Sequence, residues 1–316
     1  VRLMEEGLVE PGMFACGGDS HSSNAGAFGA YMMGFGAIEM TGIVVTGEIW
    51  VPVPATVRVD WNGTFARGVT AKDIMLVLCR ELGMDSAIEY GGDTVAAMSI
   101  GERAVLCNMA AELGAETGLV EADATTLAAL RAAGREPAPD ALSWRSDPDA
   151  AYAERRAFDA AALSPQVAAP HSPANSGPVG DAAGERIDQA YIGSCMGAKL
   201  TDLRMVAEVL RGRRVAPGVR FLVAPASQQV WADAAADGTL AAITAAGATL
   251  LPTGCGACAA LGAGVLAEGE TCISSTNRNF KGRMGANSAR VFLGSPYTVA
   301  ASAVAGRIAD PREFLQ

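Results

Sequence analysis

Hydrophobic and polar positions change their rhythm several times along this chain, and each change predicts a different element. From residue 187 onward, short apolar runs alternate with helical stretches. Ile187–Ile192 and Val219–Ala224 read as strands, Thr201–Arg211 and Gln228–Ala236 as helices. Such alternation predicts an α/β lobe built on a parallel sheet. Earlier, Thr56-Val57-Arg58-Val59-Asp60-Trp61 alternates with the period of a strand, and Asn62-Gly63 behind it is a hairpin signal. A helix is predicted from Thr70 through Leu82, with Thr70 as N-cap and Gly83 as its stop, and a second over 100–115.

Residues 13–50 read as a short strand, a polar loop and a tightly packed Gly/Ala-rich helix, and Pro52 and Pro54 mark a break. Residues 133–187 lose periodicity and gain Pro, Ala, Asp and Ser, which predicts a connector draped over the surface. The expected domains are 1–54, an α/β domain over 55–132, a connector over 133–186 and a further α/β domain over 187–316.

With 316 residues, 50% of them hydrophobic and 18% charged, the chain can bury a large core. A net charge of −10 argues against non-specific nucleic-acid binding, yet a few arginines in one pocket can still receive an anionic substrate. No apolar run is long enough to span a membrane. Seven cysteines in no secreted framework predict a reducing, cytoplasmic setting.

Those cysteines divide by context. Cys79 and Cys107 lie in apolar helical stretches and read as buried thiols, while Cys16 and Cys272 look like strand residues. Cys195, Cys255 and Cys258 instead sit in small-residue turns, Gly193-Ser194-Cys195 and Gly254-Cys255-Gly256-Ala257-Cys258. Small neighbours let backbone approach an inorganic cluster. Neither His21 nor His171 has zinc-finger spacing to a cysteine. Three thiolates without a matching fourth suggest an iron–sulfur cluster with one open, Lewis-acidic iron.

Three further constellations carry candidate chemistry. Asp19-Ser20-His21-Ser22-Ser23-Asn24 forms a glycine-flanked loop in which a carboxylate can fix the His21 tautomer; the alternative is an ordinary polar turn. Asn108 and Glu112 are four apart on a predicted helix, where Glu112 is either functional or on a solvated face. Ser274–Arg283 gathers Asn277, Arg278 and Arg283, enough to clamp a di- or tricarboxylate, or else to form a basic surface loop. Gly26, Gly29, Gly34 and Gly36 follow no phosphate-loop pattern and point to tight helix packing.

Gly-Asp-Ser-His (18–21), Cys-Asn-Met-Ala-Ala-Glu (107–112), Gly-Ser-Cys (193–195), Gly-Cys-x-x-Cys (254–258) and Asn-Arg-Asn-Phe-x-Gly-Arg (277–283) together resemble the aconitase superfamily, of the large-subunit type. The resemblance covers nearly the whole chain outside the 133–187 stretch. It implies an α/β fold of three-layer α/β/α lobes around a central cluster site. It also implies a 4Fe–4S cluster held by Cys195, Cys255 and Cys258. Asp19, His21 and Glu112 would then be catalytic, with His21 paired to Glu112. Ser20, Asn24, Asn108, Asn277, Arg278 and Arg283 would bind substrate or line the cluster.

The implied reaction is reversible dehydration of a hydroxy di- or tricarboxylic acid, in the first place 3-isopropylmalate for leucine biosynthesis. Aconitate, homoaconitate or dimethylmalate hydration is the alternative within the class; a non-catalytic iron or redox sensor, or an inactive remnant, is the alternative outside it. Two features bear on these expectations. Met196-Gly197-Ala198-Lys199 departs from the Thr-Asn-small-Arg that the family often carries after its cysteine. The chain opens on Val1 in mid-pattern, and the resemblance places a further catalytic histidine and an Asp-His pair ahead of it, so a truncated copy of little activity is expected. The end at 295–307 resembles that of a large subunit, which implies a separate small subunit carrying the swivelling domain and its serine base.

Overall fold

A computed structural model describes residues 1–83 and 86–315, and packing divides them into two compact units. One unit comprises Val1–Phe65 and Leu82–Ala162; the other comprises Ala66–Glu81 and the chain from Leu163 onward.

In the first unit, β1 (Phe14–Gly17) pairs in parallel with β2 (Tyr31–Gly34). A separate parallel sheet runs in the order β5-β4-β3-β6, from β3 (Thr56–Asn62), β4 (Ala87–Gly91), β5 (Thr117–Val120) and β6 (Glu154–Asp159). The period of β3 is expressed as expected: Val57, Val59 and Trp61 are buried and their neighbours less so. The hairpin signal at Asn62-Gly63 is not realised, because both neighbours of β3 are parallel to it. The turn is satisfied by a distant helix instead: Gly63 N–H donates to Asp93 Oδ1 at 2.7 Å, and Thr94 Oγ1 donates to the Gly63 carbonyl at 2.6 Å.

Other expectations shift in detail. Residues 13–50 contain β2 as well as β1, and their helix, Ala37–Thr46, buries none of its residues rather than packing tightly. The stretch over 100–115 is an α-helix only from Ile100 to Met109; Ala110–Leu113 tightens into a 3-10 turn closed by Gly114 at φ 83°. The aperiodic stretch 133–187 is more than a connector, since β6 lies in it. That strand sits at a sheet edge with its residues largely exposed, so no burial pattern marks its sequence.

The second unit holds a seven-stranded sheet in the order β11-β10-β9-β12-β13-β7-β8. Its strands are β7 (Gln166–Ala168), β8 (Ser176–Pro178), β9 (Gln189–Ile192), β10 (Arg220–Val223), β11 (Thr249–Leu250), β12 (Thr271–Ser274) and β13 (Arg290–Gly294). From β11 to β13 all pairings are parallel; β7 and β8 add an antiparallel margin. The crossovers Leu200–Leu210 and Gln228–Ala236 fall where the helical periods predict them. Central strands β9 and β12 are buried along their whole length, as strands covered on both faces must be. Ile192, Val206, Phe221, Val223, Ile243 and Val299 form the core between sheet and helices, each worth about 1.5–3 kcal/mol of transfer free energy for the larger side chains. Among the described residues no helix is long and apolar enough to cross a membrane.

Candidate active site

In the first unit, the loop leaving β1 is shaped by Asp19, whose Oδ1 accepts the His21 N–H at 2.8 Å and whose carbonyl accepts Ser22 Oγ–H at 2.6 Å. A 3-10 turn, Ser22–Phe28, then packs on β5. A Cβ at Gly26 would stand 1.8 Å from the Gly118 carbonyl oxygen, so this approach requires glycine. The result is a side-chain pair: His21 Nε2 lies 2.9 Å from Glu112 Oε1. The Glu112 side chain is 1% exposed and that of His21 10%. A carboxylate so buried needs a partner, and His21 provides one.

The opposite ring nitrogen, Nδ1, faces Ser20 Oγ at 3.5 Å and Asp19 Oδ1 at 3.6 Å. Asn24 is buried in the same turn; its Nδ2 donates to the Met4 sulfur at 3.0 Å, while its Oδ1 is buried with no partner among the described residues. Asn108 is fully buried on the helix that leads into the Glu112 turn. The first unit thus sets the His21 ring between Glu112 at Nε2 and Asp19 and Ser20 beside Nδ1.

In the second unit, three loops leave the carboxyl ends of parallel strands, where open α/β sheets hold ligands. Cys195 follows β9, Cys255 and Cys258 follow β11, and Asn277, Arg278 and Arg283 follow β12. Ser194 adopts the left-handed φ of 77°, a strained conformation for a residue with a side chain. Its Oγ donates to Asn277 Oδ1 at 3.0 Å, tying the first loop to the third. Gly193 N–H donates to Ser275 Oγ at 3.2 Å, and that hydroxyl donates to the Gly197 carbonyl at 2.9 Å. Lys72, almost fully buried, donates from Nζ to the Thr276 carbonyl at 2.7 Å.

The two cysteine turns share one support, the ring of Tyr191. A Cβ at Gly193 would be 2.3 Å from its Cε1, and one at Gly256 2.7 Å from its hydroxyl. Burial, and then the sulfurs of Cys258 and Cys255, push the Tyr191 phenol up to about 12. Cys255 is exposed, Cys195 half-buried and Cys258 buried. By contrast, burial pushes Cys272 up to about 12 and Cys107 higher still, so these remain protonated structural thiols. Arg278 and Arg283 are half-buried, and Arg283 Nε is buried with no acceptor among the described residues.

A sulfur-only donor set suits an iron–sulfur cluster. Gly254 and Gly256, at φ 130° and 50°, and Gly193 keep the backbone beside these sulfurs free of side chains. Among the described residues no three His, Cys, Asp or Glu side chains converge as ligands of a single metal ion would. The chemistry of this donor set fits an iron–sulfur cluster, which Cys195, Cys255 and Cys258 would hold. In the divergent segment Lys199 is occupied locally: its Nζ donates to Asp202 Oδ2 at 2.7 Å and to the Met196 carbonyl.

The family model described as the aconitase family (aconitate hydratase) matches residues 1–186 and 180–306. The chain belongs to the aconitase family. It is 45% identical over 318 residues to the 3-isopropylmalate dehydratase large subunit 1 of Methanopyrus kandleri, covering 99% of this chain and 75% of that protein. It is equally, 45%, identical over 317 residues to the homoaconitase large subunit of Thermus thermophilus, covering 99% and 74%. The 3-isopropylmalate dehydratase large subunit of Nitratidesulfovibrio vulgaris is 44% identical over 313 residues, 98% of this chain and 74% of its own. Membership accounts for the α/β architecture, in which the motif residues fall on loops and one helix end. Lys72 and Tyr191, which brace those loops, were not singled out by sequence reasoning; Ser275 lay inside the Ser274–Arg283 stretch, read there as a donor for substrate rather than as a brace. The one available signal was a lysine, next to Asp73, at the start of a helix that continues Ile74-Met75-Leu76-Val77-Leu78.

Proposed function

We propose that this protein is the large subunit of an iron–sulfur hydro-lyase that reversibly dehydrates a hydroxy di- or tricarboxylic acid, 3-isopropylmalate first. The observation that carries the reading is the sulfur-only set Cys195, Cys255 and Cys258 at one sheet edge, with Asn277 bonded to the turn of Cys195. Those three cysteines would hold a 4Fe–4S cluster. When bound, it supplies a Lewis-acidic iron that polarises the carbon–oxygen bond, since hydroxide is a poor leaving group.

The chain's own residues do the remaining work. Arg278 and Arg283 bind substrate carboxylates, and the buried Nε of Arg283, without an acceptor among the described residues, is a donor suited to such an anion. His21, held through Nε2 by Glu112, carries a proton to and from the oxygen that leaves or adds as water. Asp19 and Ser20 orient the ring from its Nδ1 side. Asn24 and Asn108 belong to the same machinery as buried amides. A small subunit completes the enzyme, in keeping with the large-subunit names of its relatives. Equal identity to a homoaconitase large subunit supports homoaconitate as the second substrate reading.

The test is anaerobic reconstitution with iron and sulfide, followed by visible absorbance, iron content and hydration assays with a small subunit. We expect a broad cluster absorption that Cys255→Ser abolishes, because two thiolates do not hold the cluster. Colourless protein in both samples, or iron content indifferent to the substitution, would overturn the reading.

A further inference from the structure

Tyr191 carries a hydroxyl that packing alone does not explain. The residue is fully buried, and its hydroxyl hydrogen has no acceptor among the described residues. A phenylalanine would fill the same space without leaving a buried polar atom. The hydroxyl is also aimed at a definite place, since a Cβ on Gly256, the residue between Cys255 and Ala257, would sit 2.7 Å from it. The Ala257 N–H points its hydrogen toward this oxygen and is itself a donor. What the phenol needs is therefore an acceptor for its own hydrogen. The sulfurs of Cys258, Cys255 and Cys272 all act on it electrostatically; Cys272 is a fully buried strand thiol, whereas Cys255 is the residue next to Gly256, the position the hydroxyl approaches.

We infer that the Tyr191 hydroxyl donates a hydrogen bond to a sulfur of the cluster held by Cys195, Cys255 and Cys258, and thereby sets its reduction potential and its retention. This rests on the cluster reading proposed above. A donor to a cluster sulfur stabilises the more negative, reduced form, so its presence raises the potential. Gly193 and Gly256 are small because the ring passes beneath both turns, which fixes where the hydroxyl points. Tyr191 is thus a tuning residue that acts through the cluster, distinct from the groups that touch substrate.

The experiment compares the reconstituted full chain with its Tyr191→Phe variant, which keeps the ring and its packing. At the wild-type midpoint potential, followed by electron paramagnetic resonance, the reduced-to-oxidised ratio should fall about tenfold in Tyr191→Phe, about 59 mV for a one-electron couple. A deuterium coupling to the reduced cluster in heavy water should be present in the wild type and lost in the variant. Failure of the variant to load a cluster while its apo form unfolds like the wild type would also support the inference. A ratio unchanged within about twofold, with the deuterium coupling retained, would overturn it and leave the cluster reading intact, even if the apo variant were less stable. A wild type that loads no cluster would overturn both.

Discussion

Cys195, Cys255 and Asn277 follow three different strands of the second unit, yet all three leave the carboxyl ends of the parallel strands of one sheet. His21 and Glu112 of the first unit share no sheet edge. One follows a strand of a two-stranded sheet, the other ends a helix, and 91 positions separate them in sequence. Topology places the first set: any right-handed βαβ series delivers its loops to the carboxyl edge, whatever the details of side-chain packing. Packing places the second, through a close approach that leaves no room for adjustment. The two units should therefore answer differently to small changes.

The largest response is expected at Gly26. Alanine there would push a methyl group to 1.8 Å from a backbone oxygen that has nowhere to go. We expect Gly26→Ala to destabilise the first unit by about 3 kcal/mol or more. Gly18→Ala, eight residues earlier in the same region, meets nothing nearer than Met40 Cγ at 3.7 Å and should stay within about 0.5 kcal/mol. Chemical denaturation of both variants checks the contrast; equal midpoints would mean that packing does not place the histidine.

Packing also intrudes on the second unit, at Asp73. This fully buried carboxyl accepts the N–H of Thr70 at 2.8 Å and of Gln166 at 2.7 Å, which joins the helix Ala71–Glu81 to β7. Burial pushes its pKa from 3.8 up to about 7, so the folded state retains a proton that the unfolded chain releases. The sign follows directly: across pH 4 to 7 this group lowers stability as pH rises. Asp73→Asn cannot ionise, but its amide meets a donor at one of the two backbone contacts. It should be less stable than the wild type by about 1–3 kcal/mol at pH 4, and the gap should narrow by pH 8. A gap that widens with pH, in thermal unfolding followed over that range, would refute the account.

The same distinction governs what could be read from the sequence. Strand–helix alternation is a local signal, so β9, β10 and the two helices that follow them were legible, and with them the position of Cys195. The edge strand β6 was not, because its exposed Glu-Arg-Arg-Ala-Phe-Asp carries no burial period. Asn62-Gly63 misled, because a turn signal does not say whether the next strand returns antiparallel. The His21–Glu112 pair was legible only through family resemblance; nothing local joins residues 91 apart. The bond from Lys72 to the Thr276 carbonyl spans 204 positions and had no signal beyond a charge at the start of a helix with an apolar middle.

The smallest effect should come from Ser194, where topology alone is said to suffice. Glycine at this position would relieve a left-handed φ of 77°, worth about 1 kcal/mol. It would also delete the hydrogen bond to Asn277, worth about as much in the opposite sense. Ser194→Gly should consequently stay within about 1 kcal/mol of the wild type in urea unfolding. Ser194→Ala loses the same hydrogen bond but keeps the backbone strain, and should fall about 1 kcal/mol below the glycine variant. That difference isolates the backbone contribution, because the lost hydroxyl is common to both. If alanine and glycine prove equally stable, the turn before Cys195 is not strained, and the cysteine is held there by side-chain bonding rather than by the path of the chain.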